Sequence, residues 1–330
     1  MIGESSNSVR CGIVLAGGEG QRLRPFIRRF RGDELPKQYV NLIGSHTMLE
    51  RTFRRAEKLI RPEHLFTVVS QAHLHYPEAM SQLAGRPKGT VVVQPENKET
   101  APGLLLPLSF LYRRFPGATV VVFPSDHLII EEDLFTKHLD LACRVVEACP
   151  SSLVLLGMQP SEPEQEYGYI LPEKQANNFG VHRVLRFVEK PQAPVAREII
   201  AKGGLWNAMI MVFKAKTLMD LVRITARSLY SSFKRISDAV ETSEERAVVE
   251  ETYKTIRPLN FSSGLLEALP RSDSVCLSVL PVKGVYWSDL GSEQRLLSAR
   301  QKARYGAGIN RVPERAHSPV RGNTPITFSR

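Results

Sequence analysis

The first half of the chain repeats one texture: short apolar runs bounded by turn residues alternate with amphipathic stretches of helical period. Strand-like runs fall at 12–15, 65–70, 90–93, 119–123 and 153–156. Between them, stretches such as 48–60, where Leu49, Phe53, Ala56 and Ile60 share a face, and 133–148 have a helix's spacing. Strands that are apolar on both faces need cover on both, and intervening helices supply it. The pattern predicts an α/β fold with a doubly wound, mostly parallel sheet.

After Gly157 the texture changes. A loop of Pro and Glu over 160–166 leads to strand-like 167–171 and 181–188, and an apolar strand follows at 209–213. Helices are expected over 216–225 and 242–253, strands near 275–279 and 284–287, and a last helix from Ser292 to about Ala303. No linker separates the halves. A single domain over 9–300 with an elaborated second half is expected, followed by a basic, unfolded tail at 301–330. At 330 residues and 42% hydrophobic content, the chain has material for one large core.

The formal charge of +10 raises the question of a nucleic-acid partner, and its distribution answers it. Five Arg and one Lys face Asp33 and Glu34 between Arg22 and Lys37, and six basic residues face Glu314 after Gln301. These two segments hold nearly all of the excess, so the surface is not basic throughout, and no nucleic acid is expected. No apolar run approaches the roughly 20 residues needed to cross a bilayer, and the first ten residues lack an apolar leader. A soluble cytoplasmic protein without a membrane partner is the expectation, and a homodimer is compatible with it. Cys11, Cys143, Cys149 and Cys276 form no CxxC pair, which points to buried, reduced thiols and to neither zinc nor disulfides.

In open α/β sheets ligands bind beyond the carboxyl ends of strands, here the loops after Leu15, Val93 and Phe123. The first of these reads Ala16-Gly17-Gly18-Glu19-Gly20-Gln21-Arg22-Leu23. Its glycines let the backbone approach phosphate oxygens, and Arg22 can clamp them with two hydrogen bonds. A Walker loop needs a Gly-Lys-Ser/Thr end and the dinucleotide fingerprint a third glycine, and neither is present. A glycine turn without a ligand is the plain alternative, but Pro36-Lys37-Gln38 follows at a distance that can return a lysine to the same phosphates. The third loop, Pro124-Ser125-Asp126-His127, sets a carboxylate at a strand end, where it can hold Mg²⁺ against a triphosphate. A lone Asp in a turn is more often a helix cap.

Together, Leu15-Ala16-Gly17-Gly18-x-Gly20-x-Arg22-Leu23 and Pro36-Lys37-Gln38-Tyr39 resemble the signature of the sugar-1-phosphate nucleotidyltransferases. Further segments in the same order, over roughly residues 11–297, are similar to the GTP-using mannose-1-phosphate guanylyltransferase branch. The resemblance implies a Rossmann-like, GT-A-like fold and transfer of a nucleotidyl group from an NTP to a sugar 1-phosphate, giving GDP-mannose and pyrophosphate. By it, Ala16, Gly17, Gly18, Gly20 and Arg22 hold the nucleotide, and Lys37 assists at the α-phosphate. Asp126 and Asp289, the latter in Trp287-Ser288-Asp289-Leu290-Gly291, bind Mg²⁺. Gly168 in Tyr167-Gly168-Tyr169, Glu189 in Phe187-Val188-Glu189-Lys190-Pro191, and Asn207 after Trp206 meet the sugar, with Lys190 on its phosphate. A surface Glu-Lys pair and a core Trp are the plain readings of the last two segments. Gln94 to Pro102 resembles the base-binding segment, with Gln94, Glu99 and Thr100 toward the nucleotide. Glu99 stands where that family has asparagine, and it could equally cap the helix starting near Thr100.

Other positions depart from the pattern: Arg24 for tryptophan, Glu166 and Met209 for glycines, and Ser262 for an aspartate. They bear on the choice of sugar, and the phosphate and metal set is intact. The same chemistry on glucose 1-phosphate with UTP or dTTP is the nearest alternative, and a non-catalytic sugar-nucleotide-binding regulator is another. His73 and His75 would face different ways on a helix, and His127 reads as a loop-orienting neighbour of Asp126, so no histidine is assigned to a metal.

Overall fold

The computed structural model describes residues 9–271 and 275–306. Strands β1 (Arg10–Ala16), β2 (Leu65–Ser70), β3 (Val91–Gln94) and β4 (Thr119–Pro124) pair in parallel in the order β3-β2-β1-β4. They are connected over helices α1 (Arg24–Arg31), α2 (Met48–Ala56), α3 (Pro77–Ala84) and α4 (Thr100–Arg114). Every residue of β2 and β4 is buried, as a sheet covered on both faces requires. Helix α2 starts at a capping box, with Thr47 and Glu50 satisfying each other's backbone N–H. It ends at Ala56 instead of the expected residue 60, and Ile60 stays buried in the turn that follows.

A two-residue strand β5 (Leu128–Ile129) and helix α5 (Glu132–Ala148) follow, then β6 (Ser152–Met158), β7 (Gly168–Ala176), β8 (His182–Glu189), α6 (Ala193–Ala201) and β9 (Leu205–Lys214). Helices α7 (Ala215–Thr225), α8 (Arg227–Ala239), α9 (Glu245–Thr255) and α10 (Phe261–Gly264) precede β10 (Cys276–Val282) and β11 (Trp287–Ser288), and α11 (Glu293–Gly306) ends the described chain.

The main sheet has nine strands in the order β3-β2-β1-β4-β9-β6-β10-β8-β7. β9 lies antiparallel between β4 and β6, and β8 antiparallel between β10 and β7. The sheet is therefore mixed: parallel pairing holds for the first four strands and for β6 with β10. An apolar run reports burial on both faces and carries no sign of direction, which is why the antiparallel entry of β9 was not readable. The expected strand 209–213 is the end of the longer β9, and the expected strand 284–287 is reduced to β11, which pairs with β5 in a separate ribbon. Side chains along β4 alternate, with Val121 and Phe123 in the apolar layer shared with α2 and α5, and Val120 and Val122 in the layer shared with α4, α7 and α8.

The last helix runs to Gly306, past residue 300, and the tail expected beyond it lies outside the described residues from 307 onward. Cys11 and Cys143 are buried as expected, but Cys149 and Cys276 are exposed, because each sits at the rim of its element. Among the described residues no helix is long and apolar enough to cross a membrane.

Candidate functional site

The loop after β1 is held from below by two amides. Gln38 Nε2 donates to Ala16 O and Gly18 O, each at 2.9 Å, and Gln94 Nε2 donates to Gly17 O at 3.4 Å. A Cβ at Gly17 would meet Gln94 Nε2 at 2.5 Å, and Gly20 sits at φ 60°, so the first glycine is set by close approach and the other by a left-handed backbone. Gln94, expected at the nucleotide, thus braces the loop and is itself buried.

Lys37 lies in a tight turn, 5% exposed. Its Nζ stands 3.0 Å from Asp126 Oδ2 and donates to Asp289 O at 2.6 Å, joining the ends of β4 and β11 to the glycine loop. Burial would push the Asp126 carboxyl up, but the Lys37 ammonium holds it below the usual carboxylate range. Asp289 behaves alike: burial opposes ionisation, and Lys37 and Arg295 outweigh it. Trp287 Nε1 donates to His127 Nδ1 at 3.2 Å, and burial lowers the imidazole's pKa, so His127 is a neutral support of the loop.

Asp289 is gripped from several sides. Tyr167 OH donates to its Oδ1 at 2.7 Å, Gly291 N to the same oxygen at 3.0 Å, and Arg295 Nε lies 3.1 Å from it. Arg22 Nη2 reaches Oδ2 at 3.2 Å, while its other Nη1 pairs with Glu166 across the cleft. Sequence reasoning missed Arg295 and the hydroxyl of Tyr167. One signal for Arg295 exists: a cation in the first turn of α11 opposes the helix dipole, so it must have carboxylate partners, here Asp289 and Glu164 at 2.5 Å.

The register of the second half gathers the other positions. Because β7 pairs with both β8 and β9, Gly168 stands opposite Glu189 on one side and Asn207 on the other. A Cβ at Gly168 would lie 2.6 Å from Glu189 Oε2 and 3.3 Å from Asn207 Cβ, so the glycine keeps an opening between them. These three, with Asp289, Glu166, Met209 and Ser262, line an open cleft of about 130 Å³. Burial pushes the Glu189 carboxyl up against the opposing pull of Lys190, and nearby Glu267 adds to the rise. Trp206 packs against Tyr167 and Trp287, with ring centroids at 5.0 and 6.3 Å, and so backs two residues that line the cleft.

Three expected residues are not among those that line the cleft. Lys190 is exposed at φ 48° one residue beyond Glu189 and does not line the cleft. Glu99 occupies the N-cap position of α4, yet its side chain makes no cap hydrogen bond; it is exposed, with φ 71°. The hydroxyl of Thr100 accepts from Phe261 N at 2.7 Å, so it ties α10 to α4. Backbone at positive φ costs a non-glycine residue of the order of 1–3 kcal/mol, and Lys190, Met209 and Leu290 all carry that cost around the cleft.

Chemically, the cleft is lined by the carboxylates of Glu166, Glu189 and Asp289 and by Asn207 and Ser262, and Lys37 and Arg22 reach Asp289 from the glycine-loop side. Comparison with known proteins identifies what the chain is similar to. A family model described as nucleotidyl transferase matches residues 11–305. The xanthan biosynthesis protein XanB of Xanthomonas campestris is 27% identical over 293 residues, covering 88% of this chain and 59% of that protein. A mannose-1-phosphate guanylyltransferase of Salmonella montevideo is 27% identical over 296 residues, covering 88% of this chain and 60% of the relative. The chain thus spans about 60% of the length of such relatives. A crystal structure described as mannose-1-phosphate geranyltransferase from Thermus thermophilus superposes with a TM-score of 0.72 at 26% identity, over 86% of this chain and 76% of that one.

Proposed function

The chain belongs to the nucleotidyl transferase family, and from that premise we propose that it transfers a nucleotidyl group from GTP to mannose 1-phosphate, giving GDP-mannose and pyrophosphate. The observation that carries this reading is the position of Lys37. Its ammonium joins Asp126 to the backbone of Asp289 at the boundary between the glycine loop and the cleft, where a triphosphate and a sugar phosphate would meet.

The reaction brings two anions together, so charge neutralisation and alignment dominate and no protein nucleophile is needed. The sugar-phosphate oxygen attacks the α-phosphorus in line, the bond to the bridging oxygen breaks, and pyrophosphate leaves with its electron pair. In this reading Lys37 steadies the α-phosphate. Arg22, half exposed and paired with Glu166, exchanges that carboxylate for phosphate oxygens. Ala16, Gly17, Gly18 and Gly20 follow the triphosphate, with Glu99 and Thr100 toward the base, while Glu189 and Asn207 accept or donate to sugar hydroxyls and Lys190 reaches in from the rim.

The residues fit Mg²⁺. Asp126 and Asp289 are hard oxygen donors, and the Asp126 side chain is 34% exposed and open to a cation. Among the described residues no group of three or more His, Cys, Asp or Glu forms a closed metal site, so phosphate oxygens and water would complete the coordination. Bound there, Mg²⁺ would neutralise charge on the phosphates. Cytoplasmic location and small-molecule substrates belong to the same reading.

Pyrophosphate release with Mg²⁺, each of GTP, ATP, UTP, CTP and dTTP, and mannose or glucose 1-phosphate tests it. GTP with mannose 1-phosphate is expected to be preferred; preference for UTP or dTTP with glucose 1-phosphate would replace the substrates and keep the mechanism, and no release from any pair would overturn the assignment of these sugars. Gly168→Ala puts a methyl group between Glu189 and Asn207. It is expected to raise KM for the sugar 1-phosphate about tenfold, with little change in KM for the nucleotide; equal changes in both would place the sugar elsewhere.

A further inference from the structure

Met209 is aimed into the cleft by two separate devices. The first is a bulge: Gly157 of β6 pairs with Asn207 and Leu155 with Met211, so β9 carries extra residues between these pairs. Met209 lies at that bulge with φ 52°, a left-handed backbone that glycine adopts without penalty and a methionine does not. Asn207 Oδ1 accepts the Met209 N–H at 3.1 Å and holds the bulge in place. The second device is a hydrogen bond: Ser262 Oγ donates to Met209 Sδ at 3.2 Å, and Asn207 Nδ2 reaches the same Ser262 oxygen at 3.5 Å. Backbone strain kept by its surroundings at a pocket marks a constrained function for that side chain.

A thioether is a weak acceptor, and the Ser262 hydroxyl that faces it at 3.2 Å also stands within hydrogen-bond reach of the Glu189 carboxylate. A sugar hydroxyl facing it would give up water and gain only a weak partner, whereas a methylene or methyl group would lose nothing. The rest of the cleft, with Glu189 and Asn207, is polar and suits the remaining hydroxyls. We propose that Met209 sets the sugar specificity, and that the site selects a hexose 1-phosphate with a deoxy position facing the thioether. This rests on nucleotidyl transfer to a sugar 1-phosphate and, within that reading, places a deoxy hexose 1-phosphate ahead of mannose 1-phosphate, which is then preferred only among the two parent sugars.

The test titrates mannose and glucose 1-phosphates and their 2-, 3-, 4- and 6-deoxy analogues into the protein by calorimetry, with Mg²⁺ and the α,β-methylene analogue of GTP present. Pyrophosphate release from GTP is followed in parallel. In the unaltered protein one deoxy analogue is expected to bind roughly tenfold more tightly than its parent. Met209→Gly, which takes the backbone without strain and keeps the N–H bond to Asn207, and Met209→Ala, which removes only the thioether, are both expected to lose that preference. Melting curves verify that the variants fold. Equal binding of parents and analogues, or a preference surviving in both variants, overturns the proposal. Binding without pyrophosphate release would refute nucleotidyl transfer alone, since the affinities still decide the role of Met209; failure of every sugar to bind would refute both.

Discussion

Asp126→Asn is expected to lower kcat for pyrophosphate release by about two to three orders of magnitude, the usual loss when a charge positioned for the transition state is removed. The carboxylate follows β4, and its ionised form is favoured by Lys37 at 3.0 Å in spite of partial burial. Asparagine keeps the shape and one oxygen, so the loop should stand and the loss should lie in charge. Alanine would be a poorer probe, because it empties the space beside a lysine that is 5% exposed. Kinetics across a Mg²⁺ series with a melting curve measure both parts. An unchanged kcat at saturating Mg²⁺ would remove Asp126 from the mechanism.

Lys37→Met should be as damaging to turnover, about a thousandfold, and should also reach the fold. Methionine matches the stem but leaves Asp126 and Asp289 O without their shared donor, at a cost of about 1–3 kcal/mol for unsatisfied buried groups. Arginine is not expected to rescue it, because a planar guanidinium is too large for the space between the two partners. The urea midpoint and kcat would be measured on the same preparations. Because the two side chains touch, the Asp126→Asn, Lys37→Met double variant should lose less than the sum of the single losses in stability. A strictly additive result would mean that the pair does not act as a unit.

Much of the site's surroundings was legible. The strand β1, its glycine loop and the carboxylate after β4 are each encoded within a few consecutive residues, where apolar runs, glycines and turn residues act through local conformational preference. Less legible was anything made by residues with no local reason to be together. Arg22 and Glu166 are 144 positions apart, and Lys37 and Asp289 are 252 apart. Gln94 and Thr100 stood in a segment expected at the nucleotide, and no neighbour in sequence reveals that Gln94 Nε2 donates to Gly17 O and Thr100 Oγ1 accepts from Phe261 N.

By itself, the sequence determined the αβ alternation of the first half, the position of most elements to within a few residues, and the chemical types of residue at the strand ends. Those follow from periodicity and backbone preference, which are local. Tertiary structure alone decided that β9 runs antiparallel between β4 and β6, and that β7 touches β8 and β9 at once, so that Gly168, Glu189 and Asn207 meet. It also decided that Arg295 comes back from the last helix onto Asp289. Strand direction and cross-strand register are settled by which arrangement buries the apolar faces and pairs the buried charges across the whole chain, and no short window of sequence contains that competition.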